Sequence, residues 1–413
     1  MKIGVLTYHC PPNFGAQLQA ISTIGYLRRM GHEPVMIHWY AKDLEEMYSR
    51  RIPKEQILCH EEFTKKVFPL SRRCQTEQEL IVEINSLHLD GIIVGSDALF
   101  KYTPKRNRRY FSKRKLKYVY NDALSCELID GNPFFGGFLG KLEEKIPAVV
   151  YAASSQNCPF KLMSKKERQQ MKDALSHYKY ISTRDTWTRQ MIETVMQISG
   201  IRVFPDPVFS FNQNCYIPIP TKEEILNKYG LRQDYVLLSF SDWYNSPEYV
   251  GGIAAELEKA GLQPVAFPMP EKLFSAGISK CINLPLSPID WYSLIIHSQG
   301  YIGERMHPIV VCLHNAIPFF CFDEYGIKEN KSLFSKVAYN PTSSKTYLIV
   351  SEADFTDNLY SYKGQEKLPM PKDVVTQIQK FNCKKCKQFA LQKGRKYEEG
   401  MKKVLDSLLI LNK

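Results

Sequence analysis

The sequence predicts an α/β protein made of two doubly wound, Rossmann-like domains that face one another across a cleft. Three observations predict it. Short apolar runs alternate with stretches of helical periodicity, the pattern of parallel sheets covered by helices on both faces. The alternation breaks in a Pro- and Asn-containing segment near 212–222 and then restarts. At 413 residues the chain exceeds what one ordinary core holds.

The elements follow in order. "KIGVLTY" (2–8) is a first strand, followed by a helix from about Ala16 to Met30 with Gly31 as its stop. "EPVMIHW" is a second strand, and "GIIVGSD" (91–97) a buried parallel strand that ends at a functional type of loop. "AVVYAAS" (148–154) and "YKYISTRD" (178–185) are further strands, the latter leading into a helix to about Ile198, and "RVFPDPVF" follows. After the break come a strand at 235–242, a helix at 246–260, a strand at 264–270 and a helix at 289–298. "YIGERMHPIVVCLHNAIPFFCFD" (301–323) supplies strand, abrupt turn, apolar helix and strand. From about 345 the patterns are helical and more polar. The expected division is therefore 1–211 and 212–345 as Rossmann-like domains and 346–413 as a C-terminal helical segment.

No run of 18 apolar residues exists, so no transmembrane helix is expected. The N-terminus reads as a first strand rather than a signal peptide, which predicts a cytoplasmic protein. Eleven cysteines without framework spacing predict reduced thiols. One CxxC, Cys383 and Cys386, has no second Cys or His pair nearby and is expected on a solvated basic helix. No Walker-type loop, no HExxH and no paired Cys/His set appears, so neither metal nor cofactor is expected. Lys and Arg number 55 against 43 Asp and Glu. Much of the excess lies in "KYTPKRNRRYFSKRKLK" (101–117), either a solvated loop or a lip that draws in an anion, a phosphorylated substrate or an anionic membrane face. No recognised nucleic-acid motif accompanies it, and no nucleic-acid partner is expected.

Candidate site residues cluster where strands end. In "GERMHP", Pro308 suits a first helical position, which places His307 at or beside the N-cap. Arg305 adds a planar cationic fork matched to carboxylate or phosphate. The pair is an anion site with a proton donor, or a capping histidine and an arginine paired with Glu304 or Asp323. In "YHCPPNFGAQLQA" (8–20), Asn13 and Gln17 are placed to hydrogen-bond sugar hydroxyls, or serve turn chemistry and a helix surface. Asp97 is a catalytic carboxylate that accepts a proton from a hydroxyl or holds one in position, or an N-cap. Arg184 is an anion clamp, or an ion-pair partner of Asp185. Asp206 reads chiefly as Asp-Pro turn chemistry. His297 and His314, late in helices, read as structural.

Together these pieces resemble the polysaccharide pyruvyl transferase family. The resemblance rests on "NFGAQLQA" after strand one, "GSD" at 95–97, "YAAS" at 151–154, "STRD" at 182–185 with "DPVF" at 206–209, and "GERMH" at 303–307, in the family's order. It implies a two-domain fold like that of GT-B glycosyltransferases, with the site between an N-terminal acceptor side and a C-terminal donor side. It implies phosphoenolpyruvate as donor and a surface-polysaccharide sugar, often lipid-linked, as acceptor, the product being a cyclic pyruvate ketal on two hydroxyls. By motif, Arg305 and His307 are donor-site residues with His307 as general acid, Arg184 a donor anion clamp and Asp97 the acceptor-side carboxylate. Competing expectations are a GT-B-like glycosyltransferase that uses a nucleotide sugar, and a basic membrane-surface or nucleic-acid-binding protein centred on 101–117. As an accessory feature, 101–117 is expected to bring the enzyme to the inner face of an anionic membrane.

Overall fold

The computed structural model describes residues 1–105, 109–112, 117–120, 123–330, 337–365 and 367–409. In chain order the strands are β1 (Lys2–Leu6), β2 (Glu33–Met36), β3 (Gly91–Val94), β4 (Arg109–Ser112), β5 (Lys117–Tyr120), β6 (Ala148–Ala153), β7 (Tyr180–Thr183) and β8 (Arg202–Val203). They continue with β9 (Tyr235–Ser239), β10 (Gln263–Ala266), β11 (Gly300–Gly303), β12 (Phe319–Asp323), β13 (Ile327–Asn330), β14 (Val337–Asn340) and β15 (Leu359–Ser361).

Two parallel sheets organise the chain. The first has six strands in the order β2-β1-β3-β6-β7-β8, and the second five in the order β10-β9-β11-β12-β15. Every pairing within them is parallel. Strands β3, β9 and β11 are buried along their whole length and β1 from its second residue on, as a sheet covered on both faces requires. In each sheet the chain order reverses beside the first strand, between β1 and β3 and between β9 and β11. Ligands of doubly wound folds bind beyond the carboxyl ends of the strands at such points. The predicted α/β architecture of two doubly wound lobes is what the chain adopts.

The helix α1 (Phe14–Arg29) begins two residues earlier than expected, because Asn13 caps it by accepting a hydrogen bond from Ala16 N at 3.2 Å. Residues 14–27 are all buried, since α1 lies between the first sheet and helices of the second lobe. No helix among the described residues is long and apolar enough to cross a membrane.

The segment 346–413, read as helical, also holds β15, which pairs with β12 at the edge of the second sheet. Its long helix, Cys383–Leu409, then returns to the first lobe. Cys386 is buried and donates its thiol to Leu313 O at 3.3 Å, so this helix is not solvated at the CxxC as expected. Farther along, Tyr397 packs edge-on against Tyr26 and Tyr151, and Glu398 and Glu399 pair with Arg29 and Arg202 of the first lobe.

Of the basic stretch 101–117, the backbone of β4 and β5 forms an antiparallel hairpin. Residues 106–108 and 113–116, with the membrane contact expected of them, lie outside the described residues.

Candidate active site

The carboxyl end of β3 delivers Asp97. Gly95, at φ 128°, runs so close to β6 that a Cβ there would lie 1.9 Å from Tyr151 O. Asp97 itself sits at φ 97°, a conformation that L residues avoid, held there by the hydrogen bond from Ser154 N to its carbonyl at 2.8 Å. A strained residue at a strand end is a recurrent mark of a functional position. Its carboxylate accepts from Ala98 N at 2.7 Å and lies 3.8 Å from Arg184 Nη1.

Arg184 leaves β7 with its own N–H bonded to Ala153 O at 2.9 Å. The expected ion pair with Asp185 does not form. Asp185 instead caps the next helix, accepting from Thr188 N, and accepts from Ser154 Oγ, both at 2.7 Å. Arg184 is buried and donates from Nη1 to Asp206 Oδ2 at 2.7 Å, while its Nη2 is buried with no hydrogen-bond partner among the described residues. Asp206 does serve the turn, accepting from Val208 N at 3.0 Å, but its other oxygen belongs to this cluster.

The second lobe brings Arg305 and His307. The helix spans Met306–Asn315 with Arg305 at the N-cap, so Pro308 is the third helical residue rather than the first. The first four N–H groups of a helix are free in any case, so proline costs no hydrogen bond there. His307 is buried against Gly15 at the start of α1; a Cβ on Gly15 would lie 2.0 Å from His307 Cγ. Its Nε2 makes no hydrogen bond among the described residues and lies 3.9 Å from Asp206 Oδ2. Arg305 pairs with Glu271 at 3.2 Å and Glu324 at 4.0 Å, not with Glu304 or Asp323 as the alternative had it. Arg305 and His307 line one cleft together with Asn13, Gly15, Glu271 and Lys345. Arg184 and Lys345 line the adjoining hollow.

Two members of this cluster were not among the site residues expected from the sequence. Asp206 was assigned to a turn. Lys345 is the first residue of the helix Lys345–Glu352, capped by Ser344. A lysine there opposes the helix dipole, which favours acidic residues in the first turn, and that misfit is the signal the sequence carried. Gln17 requires a correction as a substrate-binding residue. It is wholly buried, its amide nitrogen donates to Thr64 Oγ1 at 2.7 Å and to His9 O at 3.3 Å, and its Oε1 has no hydrogen-bond partner among the described residues, so it sits within the packing of α1. Asn13 caps α1 while still lining the cleft. His314 is buried with its pKa pushed by burial to about 4, and His297 bonds to Pro220 O at 3.0 Å.

The electrostatics set the protonation states. Burial acts to raise the Asp97 carboxyl, but His307, Arg184 and Lys345 prevail and hold it below the usual carboxylate range. Burial pushes the His307 imidazole down, against the opposing pull of Asp97 and Asp206. Burial, helped by Arg184, lowers the Lys345 ammonium to about 8. An empty cleft thus holds a neutral imidazole among cations, and an entering anion favours its protonation.

Replacement of Arg184 by methionine strands Asp206 and Asp97 as buried charges. Arg184→Met should destabilise the protein by about 3–5 kcal/mol in urea unfolding at neutral pH. Asp97 is depressed in the folded state, so its contribution is present above the unfolded carboxyl value and fades as pH falls through the folded one. The deficit should therefore shrink in acid. Equal unfolding midpoints at neutral pH would show that the cluster does not hold the lobe together.

This geometry is a two-lobed α/β fold of the GT-B type, with its charged cluster gathered beyond the carboxyl ends of the strands. Solved structures share the fold: UDP-GlcNAc 2-epimerase from Neisseria meningitidis bound to UDP-GlcNAc (TM-score 0.53, 10% identity, 100% of each chain covered), UDP-GlcNAc 2-epimerase from Methanocaldococcus jannaschii (0.52, 11%, 94% of this chain and 98% of that), and Arabidopsis thaliana UGT89C1 complexed with UDP (0.52, 10%, 98% and 99%). No curated protein sequence matches the chain significantly. The family model for polysaccharide pyruvyl transferase matches residues 13–324, most of the chain. The protein belongs to the polysaccharide pyruvyl transferase family, as its ordered motifs suggested. Membership makes it a transferase of polysaccharide biosynthesis with a sugar or polysaccharide acceptor.

Proposed function

We propose that the protein moves the pyruvyl group of phosphoenolpyruvate onto two hydroxyls of a surface-polysaccharide sugar, free or lipid-linked, on the cytoplasmic side of the membrane. One observation carries this reading: a buried imidazole, His307, whose Nε2 makes no hydrogen bond among the described residues and which is set among Arg184, Lys345 and Arg305 in the cleft between the lobes. Phosphoenolpyruvate brings a carboxylate and a phosphate, and the two sides of the cluster offer a cationic group to each. Donor charge replaces the solvent that burial removed, so His307 gains a proton as the donor binds.

His307 then protonates the methylene carbon, leaving an oxocarbenium-like centre at C2. One acceptor hydroxyl adds to C2, and its proton returns to the imidazole. The C2–O bond to phosphate breaks, and a neighbouring hydroxyl closes the ketal, its proton leaving with the phosphate. Of the two hydroxyl protons, one ends in the new methyl group and the other on phosphate. Asp206, 3.9 Å from Nε2, stabilises the imidazolium. Asp97, held low, is a weak base, so its part is to orient the acceptor hydroxyl and to balance charge.

Incubation with phosphoenolpyruvate and a panel of acceptor glycans should release phosphate and add to one glycan the mass of pyruvate less water. Release of a nucleotide from a nucleotide sugar, with phosphoenolpyruvate unconsumed, would replace this reading by the glycosyltransferase one.

A further inference from the structure

The loop between β1 and α1 carries a second cluster outside the charged site. His9 and Cys10 follow β1, and His38 follows β2. The two strands are parallel neighbours, with Val5 opposite Met36, so both chains leave the sheet at the same carboxyl edge. Three atoms meet there. His9 Nε2 and His38 Nδ1 are 2.9 Å apart, Cys10 Sγ is 3.2 Å from His9 Nε2, and it is 3.4 Å from His38 Nδ1.

Hydrogen bonding accounts for this triangle only in part: the Cys10 thiol can donate outward to Trp39 O at 3.7 Å, which leaves its approach to both rings unexplained. The His9 Nδ1–H donates to Thr7 O at 2.9 Å, so in the neutral ring Nε2 carries a lone pair and no proton. One lone pair accepts one well-aligned bond, from His38 or from Cys10, not from both. Ligands of a single tetrahedral ion do form such a triangle: bonds of about 2.0–2.1 Å to nitrogen and about 2.3 Å to sulfur place ligand atoms roughly 3.3–3.6 Å apart. The observed sides, 2.9, 3.2 and 3.4 Å, are each somewhat shorter than the matching spacing, so an ion would spread the three groups by a few tenths of an ångström. The Thr7 carbonyl is also the outer-shell partner that metal-bound histidines have, fixing the tautomer and turning the ring.

We propose that His9 Nε2, Cys10 Sγ and His38 Nδ1 form a zinc site. Two imidazoles and a thiolate suit zinc's borderline softness, and half-buried His38 leaves the fourth position to water. A thiol binds zinc as thiolate, so uptake releases a proton and weakens in acid. The ion would pin the 8–13 loop, whose Pro11 and Asn13 line the cleft, so its part is structural and independent of the reaction assigned above.

Full-length protein purified from zinc-supplemented cells should contain about one zinc per chain by elemental mass spectrometry. Cys10→Ser and His38→Ala should each lower occupancy at limiting zinc by at least about tenfold, while Cys383→Ser, which removes the CxxC, retains it. Cobalt(II) added to metal-free Cys383→Ser protein should give a thiolate-to-cobalt charge-transfer band, and that band decides the matter if the ligand variants fail to fold. Metal-free native protein that shows no such band, or full zinc retained by Cys10→Ser, would make the cluster a packed trio without an ion.

Discussion

His307→Gln should lower turnover by about 10²–10⁴-fold, the usual share of a well-placed acid–base group, while leaving the unfolding transition in place. The pH profile separates this from a packing role. In the free enzyme burial holds the imidazole below its ordinary 6.5, so the protonated form is scarce at neutral pH. For a general acid, kcat/KM should fall nearly tenfold per pH unit across the neutral range. The bound donor raises the imidazole, so the limb in kcat should lie at higher pH than the limb in kcat/KM. Both limbs should vanish in His307→Gln. A variant that keeps native turnover, or a profile unchanged by the substitution, removes the acid from the mechanism.

Gly15→Ala should also cost activity, although the residue carries no functional group. The new methyl would lie 2.0 Å from His307 Cγ and 2.4 Å from its Cβ. Those atoms are the root of the side chain, so the imidazole cannot swing its far end aside. Either His307 leaves its position or α1 and the helix Met306–Asn315 part. Overpacking of this kind costs about 1–3 kcal/mol, and thermal unfolding should register it alongside a loss of turnover of at least about tenfold, as small misplacements of catalytic groups produce. Native activity in Gly15→Ala would show that the contact between the lobes is looser than the geometry implies.

The fold was legible because its signals are local and periodic. Buried parallel strands declare themselves as apolar runs, and the restart after 212–222 marks the second lobe. β15 escaped because three residues are too few to show a period, and its place in the sheet is fixed by β12 rather than by its own pattern. Asp97, Arg184, Arg305 and His307 could be picked out as polar residues where strands give way to helices, the positions doubly wound sheets expose. Asp206 was masked by a proline that made turn chemistry a sufficient account. Lys345 lies beyond β13 and β14, away from the strand-end positions that guided the search. Gln17 misled for the opposite reason: α1 has no solvent face, and a polar residue on it is there to bond to Thr64 across the interior. The trio of His9, Cys10 and His38 depends on strand adjacency, and no spacing rule along the chain contains it.

The return of the helix Cys383–Leu409 to the first lobe means that the polypeptide passes between the lobes twice, once through 212–222 and once through this helix. A body hung on two attachments swings about the line joining them and resists twisting across it. Relative motion of the lobes is thereby restricted chiefly to rotation about that line, which keeps Arg184 of the first lobe in register with His307 of the second.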